Sequence, residues 1–315
     1  MYPKIDKPYG AGLLKLAETH PELVVIDADL SRACDTGDFA QKYPERYLNL
    51  GVTEANMIGV SAGLALSGKL VFSGTFACFI TQRVYDQVAI SVAYMQNNVK
   101  LCGIEAALTS GSNGATHQSM MDLALMRALP NMRVYDPVDA VSLNAVMHYE
   151  ADHPGPAYLR GIRKSGPAIL DPAAAADPCK ALILREGRDA TVIASGIMLE
   201  RALAAVDELA KTGIEVRVVA LSCLKPIDEE TILRCAAETG CIVSAENHTV
   251  IGGLGSAVSE IVGEACPVPV VKVGIHDAFG EVGSAEYLAE KFRIGVPDIL
   301  AAVNKAVELK KKYKN

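Results

Sequence analysis

The sequence predicts an α/β fold of two parallel-sheet domains with helices packed on their faces. Three observations carry that prediction. Short β-rich runs alternate with helical stretches along the whole chain. The runs are continuously apolar, as strands buried on both faces are. The alternation lapses once and then restarts. At 315 residues the chain is long enough for two cores of ordinary size.

In the first half the strands fall at "LVVIDADL" (23–30), "KLVFSGTF" (69–76), "VKLCGI" (99–104), "MRVYDP" (132–137) and "PAYLRG" (156–161). Between them "EANMIGVSAGLAL" (54–66) and "VYDQVAISVAYM" (84–95) repeat apolar residues with a period near 3.6, which predicts α-helices. The stretch 163–181 then crowds Pro, Gly and Ala without a period. This composition shift marks a linker, 165–184, between a first domain, 1–164, and a second, 185–315. Beyond it the alternation resumes with "ATVIASG", the helix "MLERALAAVDELAKTG", then "EVRVVAL", "CIVSAEN" and "PVPVVKVG".

Composition narrows the function classes. The net charge is −7, and the one basic run, "KKKYK" at 310–314, reads as a solvated helix end, so a nucleic-acid partner is not expected. No apolar run reaches the roughly 18 residues of a membrane span, and "MYPKIDKPYG" lacks the apolar core of a secretion signal. Cytoplasmic residence is the expectation. Eight cysteines with no C-x-x-C pair read as reduced thiols, so neither disulfide, zinc site nor other metal ligation by this chain is expected. A phosphate loop of the G-x-x-x-x-G-K-[ST] kind is missing, and "GGLGSAV" (252–258) lacks the third glycine of a dinucleotide fingerprint.

Ligands of open α/β sheets bind beyond the carboxyl ends of the strands. Three segments stand there in the first half: "DADLSRA", "GTFACFITQR" and "EAALTSGSNGATHQS". In "GVTEANM", Glu54 is either a carboxylate favoured by the helix N-terminus or a group that holds a proton beside a ligand. A long Gly- and Ser-rich loop delivers His117 to the start of a helix, where it suits a neutral hydrogen-bond donor or proton shuttle. Taken alone, Phe76 and Phe79 read as core aromatics at a strand end, Asp29 as a helix cap, and Arg160 with Arg163 as a solvated pair.

In order and spacing, "LNLGVTEANMIGVSAGLALSG", "GTFACFITQRVYDQV" and "GSNGATHQSMMDLALMRALPNMRVYDPVDA" resemble the pyrimidine-binding domain of transketolases. "QRVYDQV" is also similar to 1-deoxy-D-xylulose-5-phosphate synthase. "ENHTVIGGLGSAV" and "GIHDAFGEVGS", which contain His248 and His276, resemble the transketolase C-terminal domain. The G-D-G motif that holds metal and diphosphate in this family does not occur in the chain. The resemblance therefore implies the C-terminal subunit of a split transketolase that uses thiamine diphosphate. A separate N-terminal subunit would hold the diphosphate and Mg²⁺. The implied assembly is a heterotetramer with a dimer of this chain at its centre, and helix 84–95 is a candidate for its buried interface.

The implied reaction transfers a two-carbon ketol unit from a ketose, phosphorylated or modified, to an aldose. The alternatives are the decarboxylase β subunit of a 2-oxo-acid dehydrogenase complex and a deoxyxylulose-phosphate-synthase-like carboligase. A non-catalytic partner would be favoured had Glu54 been lost. By resemblance, Glu54 bonds a pyrimidine nitrogen of the cofactor, and Phe76 and Phe79 stack on the ring. Gln82, Arg83 or Tyr85 fills the space of a third aromatic. Asp29 lies near the cofactor at the subunit boundary, His117 faces the thiazolium and the substrate hydroxyls, and Arg160 or Arg163 grips the sugar phosphate. Three departures bear on substrate. Ser112 and Asn113 replace an acidic pair, Glu105 replaces a phosphate-binding histidine, and Ala33 replaces a phosphate-binding serine. A carboxylate repels phosphate, so an unusual sugar is expected.

Overall fold

The computed structural model describes residues 2–313. Among these residues fourteen strands form three sheets. In chain order they are β1 (Lys4–Asp6), β2 (Leu23–Asp27), β3 (Tyr47–Asn49), β4 (Leu70–Phe76), β5 (Val99–Ile104), β6 (Arg133–Tyr135), β7 (Ala157–Arg160), β8 (Ser165–Pro167), β9 (Leu182–Arg185), β10 (Ala190–Ala194), β11 (Val216–Ala220), β12 (Cys223–Lys225), β13 (Ile242–Thr249) and β14 (Val270–Ile275). The first sheet is ordered β12-β6-β7-β5-β4-β2-β3 and the second β14-β13-β10-β11-β9. Both are parallel except at one edge, where β12 and β9 run antiparallel to their neighbours. All side chains of β2, β4, β5, β10 and β11 are buried, as strands covered on both faces require.

Two features tie the halves together. Strand β12 lies in the C-terminal half of the chain yet completes the first sheet beside β6. One apolar core cluster contains Val134 and Tyr158 of the first sheet together with Ile193, Val219 and Ile242 of the second. The stretch between the sheets is ordered. Strand β8 pairs antiparallel with β1, and the Asp139 carboxylate accepts the backbone N–H groups of Ile169 and Leu170 at 2.7 and 2.8 Å. Asp139 also caps helix Ala140–Asp152 through a reciprocal bond pair with Ser142.

The segment 84–95 departs from the α-helix its periodicity predicts. After one α turn, Tyr85–Gln87, residues Val88–Tyr94 wind as a π-helix. Val88, Val92 and Ala93 face the core while Ile90 and Tyr94 lie in solvent. With apolar residues on every side, seven positions fit the wider turn as well as the tighter one, so the pattern could not separate them.

Candidate active site

The carboxyl ends of the parallel strands of the first sheet converge on one rim. Residues after β3 make a turn in which Gly51 takes φ +68°, a conformation open to glycine, and Glu54 then begins helix Glu54–Leu66. Its carboxylate is only 3% exposed. Arg83 Nη1 donates to Glu54 Oε2 at 3.1 Å, and the Arg83 guanidinium sits 5.1 Å from the centre of the Phe79 ring. Phe76 ends β4, and Phe79 stacks on it with centroids 6.0 Å apart and 23° between planes. The His117 ring meets both phenyl rings edge-on, at 5.8 and 5.2 Å, and its Nδ1 is 2.9 Å from Thr116 Oγ1. Glu54, Phe76, Phe79, Arg83 and His117 thus form one cluster.

Asp29 adopts φ +63° beyond β2. Asn49, at the end of β3, accepts the N–H groups of Asp29 and Gly51, each at 3.0 Å, and donates to the Asp29 carboxylate at 3.3 Å. Asn49 is absent from the residues that the sequence motifs single out, although its place at a strand end two residues before a glycine is the available signal.

The two arginines part company. Arg160 is 5% exposed, and its guanidinium is engaged on every side. Nε and Nη2 grip Asp122 at 2.8 and 2.7 Å, while Nη1 reaches Asp136 at 3.4 Å and the Asn247 carbonyl at 3.0 Å. Burial opposes charge on Asp122, but Arg160 outweighs it and holds that carboxyl below the usual range; burial raises Asp136. Arg160 therefore locks the first domain to the second and has no edge left for a ligand. Arg163, three residues on and partly exposed, bonds Glu105 Oε1 through Nη1 at 2.9 Å. It lines two clefts. One, of about 650 Å³, is also lined by Asp29, Arg32, Phe76, Asn113 and Lys164. The other, of about 290 Å³, lies between the domains beside Glu105 and Glu200.

The second domain holds the loop that carries His117. Gln118 Nε2 donates to the Glu281 carbonyl at 3.0 Å, and Gly283 N–H to the Gly111 carbonyl at 3.1 Å. A side chain on Gly280 would collide with the Gln118 amide, which explains a glycine there. His248 is wholly buried, and its Nε2 accepts the Ala124 N–H at 3.3 Å, so it helps cap helix Asp122–Ala128 across the domain boundary. Burial pushes its pKa down to about 4, which keeps it neutral. His276 is exposed in a different cleft, with Lys272 and Arg293. No group of three or more metal-ligating side chains occurs among the described residues.

This arrangement has relatives among known proteins. Residues 3–167 match the model of the transketolase pyrimidine-binding domain, and residues 179–299 that of the transketolase C-terminal domain. The chain is 46% identical to the 6-deoxy-6-sulfo-D-fructose transketolase subunit SqwH of a Clostridium species, over 95% of this chain and 92% of that one. It is 38% identical to one of the subunits of the apulose-4-phosphate transketolase of Phocaeicola vulgatus, over 86% and 87%. A solved structure, a split gene transketolase described as an inactive beta4 tetramer, superposes with a TM-score of 0.89 at 43% identity, over 96% of this chain and 98% of that one. The chain belongs to the transketolase family and is the C-terminal subunit of a split, thiamine-diphosphate-dependent transketolase that moves a two-carbon ketol unit from a ketose to an aldose.

Proposed function

We propose that this chain supplies the pyrimidine side of a cofactor site completed by an N-terminal subunit, which holds the diphosphate and Mg²⁺, and that Glu54 and His117 are its catalytic groups. One observation carries the reading. A carboxylate 3% exposed stands at the strand-end rim, joined through the Arg83 guanidinium to the face of Phe79. A flat, nitrogen-bearing group that stacks on an aromatic ring and bonds a buried carboxylate has the two recognition features of an aminopyrimidine, so the residues fit the cofactor. When bound, thiamine diphosphate supplies the carbon nucleophile that carries the two-carbon unit.

The side chains divide the remaining work. Glu54 holds a proton at a ring nitrogen, and Phe76 and Phe79 stack on the ring and exclude water. Asp29 borders the cofactor at the subunit boundary. His117, edge-on to the aromatic pair, moves a proton to and from a sugar hydroxyl. Asn113 presents an amide that can donate and accept, and Arg163 meets the far end of the sugar. The Clostridium relative is named for a sulfonated fructose and the Phocaeicola relative for a phosphorylated sugar, so a ketose with an anion at its distal carbon is the proposed donor.

The proposed assembly is a heterotetramer around a dimer of this chain, in the cytoplasm. Val52, Leu66, Ile90, Tyr94 and Met95 are each more than half exposed, which favours helix Glu54–Leu66 and the π-helix as the covered face. No helix among the described residues is long and apolar enough to cross a membrane. Mixing the chain with its N-terminal partner, thiamine diphosphate and Mg²⁺ tests the reading. Ketol transfer from a ketose is expected, and pyruvate decarboxylation alone would overturn it. The isolated chain should bind the cofactor weakly by calorimetry, since the diphosphate anchor lies elsewhere.

A further inference from the structure

Arg163 has two edges, and the structure uses only one. Nη1 is committed to Glu105, whereas Nε is buried without a hydrogen-bond partner and Nη2 makes no bond among the described residues. A buried guanidinium N–H without an acceptor loses its hydration for nothing in return unless something binds it. The free Nε–Nη2 edge has the spacing of a bidentate grip on an oxyanion. It belongs to a residue lining the cleft that also contains Phe76 and Asn113.

Glu105 is held where it can act on that edge. It follows β5 with φ +57°, in the left-handed region that a side chain other than glycine or asparagine seldom adopts. Its carboxylate is largely buried, and Arg163 is its ion-pair partner. A carboxylate on one edge of a guanidinium does two things to a ligand on the other. It fixes the plane of the fork, and it adds one negative charge a few ångströms from the bound oxyanion. The second effect depends on ligand charge. A phosphate monoester carries close to two negative charges at neutral pH, a sulfonate one, and both offer tetrahedral oxygens of similar size to the same fork.

We infer that Glu105 is a specificity-determining residue: paired with Arg163, it discriminates at the distal end of the sugar against a doubly charged phosphate and for a singly charged sulfonate. This inference rests on the proposed role of Arg163 at the distal anion. Moving one carboxylate charge to or from a point about 6 Å from the anion changes the relative affinity of dianion and monoanion by roughly a hundredfold at an effective dielectric near 20, and by roughly tenfold at about twice that dielectric. Arg32 and Lys164 in the same cleft attract a dianion more strongly than a monoanion, so Glu105, with Asp29 in that cleft, acts against their pull.

The test uses the complex of this chain with its N-terminal partner, thiamine diphosphate and Mg²⁺. Three ketol donors are compared by kcat/KM: 6-deoxy-6-sulfofructose, fructose 6-phosphate, and erythrulose, which has no terminal anion. The wild type should favour the sulfonate over the phosphate. Glu105→Gln should raise the phosphate-to-sulfonate ratio at least about tenfold, and Glu105→Asn, which tolerates the left-handed backbone better, should shift it in the same direction. Titration calorimetry of the two charged sugars on the same complexes repeats the comparison without turnover. A ratio moved less than twofold in both measurements, or a wild type that prefers phosphate, overturns the inference. If the wild type turns over none of the donors while the calorimetric ratio still shifts, the assigned reaction fails and the role of Glu105 stands.

Discussion

Replacing Arg160 by alanine should damage stability far more than the same change at Arg163. Arg160 makes four hydrogen bonds of 2.7 to 3.4 Å, to two buried carboxylates and one carbonyl. Truncating it leaves Asp122 and Asp136 facing each other with no cation, and breaking a buried pair by removing one partner typically costs about 3–5 kcal/mol. With a urea dependence of about 2–3 kcal/mol per molar, the unfolding midpoint should fall by about 1–2 M. Arg163 has one ion pair and is partly exposed, and such pairs contribute about 0–1 kcal/mol. The pH dependence sharpens the test. In the wild type Asp122 is held below its usual range, so its contribution is present above the unfolded value near 3.9 and is lost as pH falls below that value. Without Arg160 both carboxyls are pushed up by burial, a penalty absent below the unfolded value that grows as pH rises. The deficit of Arg160→Ala should therefore be larger at pH 7.5 than at pH 5. Urea titrations followed by circular dichroism read it. A midpoint within about 0.3 M of the wild type at pH 7.5, or an equal deficit at both pH values, would refute the reasoning.

Glu54→Gln keeps the shape of the side chain and removes the acid–base capacity that the proposed role requires, so ketol transfer by the complex should be lost while assembly, read by size-exclusion chromatography, is retained; a tenth of wild-type activity would sink the assigned role. Acid stability should report on His248 and Glu246. Burial lowers His248 to about 4, so its contribution is complete above its unfolded value near 6.5 and is lost as pH falls towards 4. Burial raises Glu246 to about 7, which works in the opposite direction over much of the same range. Glu246→Gln should therefore steepen the fall in urea midpoint between pH 7 and pH 4.5, and His248→Asn should flatten it. Parallel profiles for the two variants would contradict this account.

The strands were legible because both of their faces are buried, which leaves unbroken apolar runs such as "LVFSGTF". The candidate rim was legible because it forms at the ends of parallel strands: Glu54 lies beyond β3, Phe76 ends β4 and Glu105 follows β5. Helix type at 88–94 was not, since an apolar surface on all sides fits more than one period. Nor was the membership of β12, because a three-residue edge strand that completes the other domain's sheet has no local signature. The burial of Arg160 did have a signal. Tyr158 and Arg160 are two apart on β7, so they share a face, and both bond Asp122. Period two places Arg160 with a tyrosine that is fully buried, while Arg163 lies past the end of the strand, where side chains meet ligands.

The second domain has no side chain in the aromatic and carboxylate cluster, yet it decides the shape of the site. Its loop around Gly280–Gly283 braces the His117 loop from behind, and His248 and Asn247 hold helix Asp122–Ala128 and Arg160. That same brace carries Phe279 and Val282, 80% and 67% exposed, which are large apolar side chains left in water. Those two side chains and the site loop thus share one support, which sets the His117 ring against the Phe76–Phe79 pair.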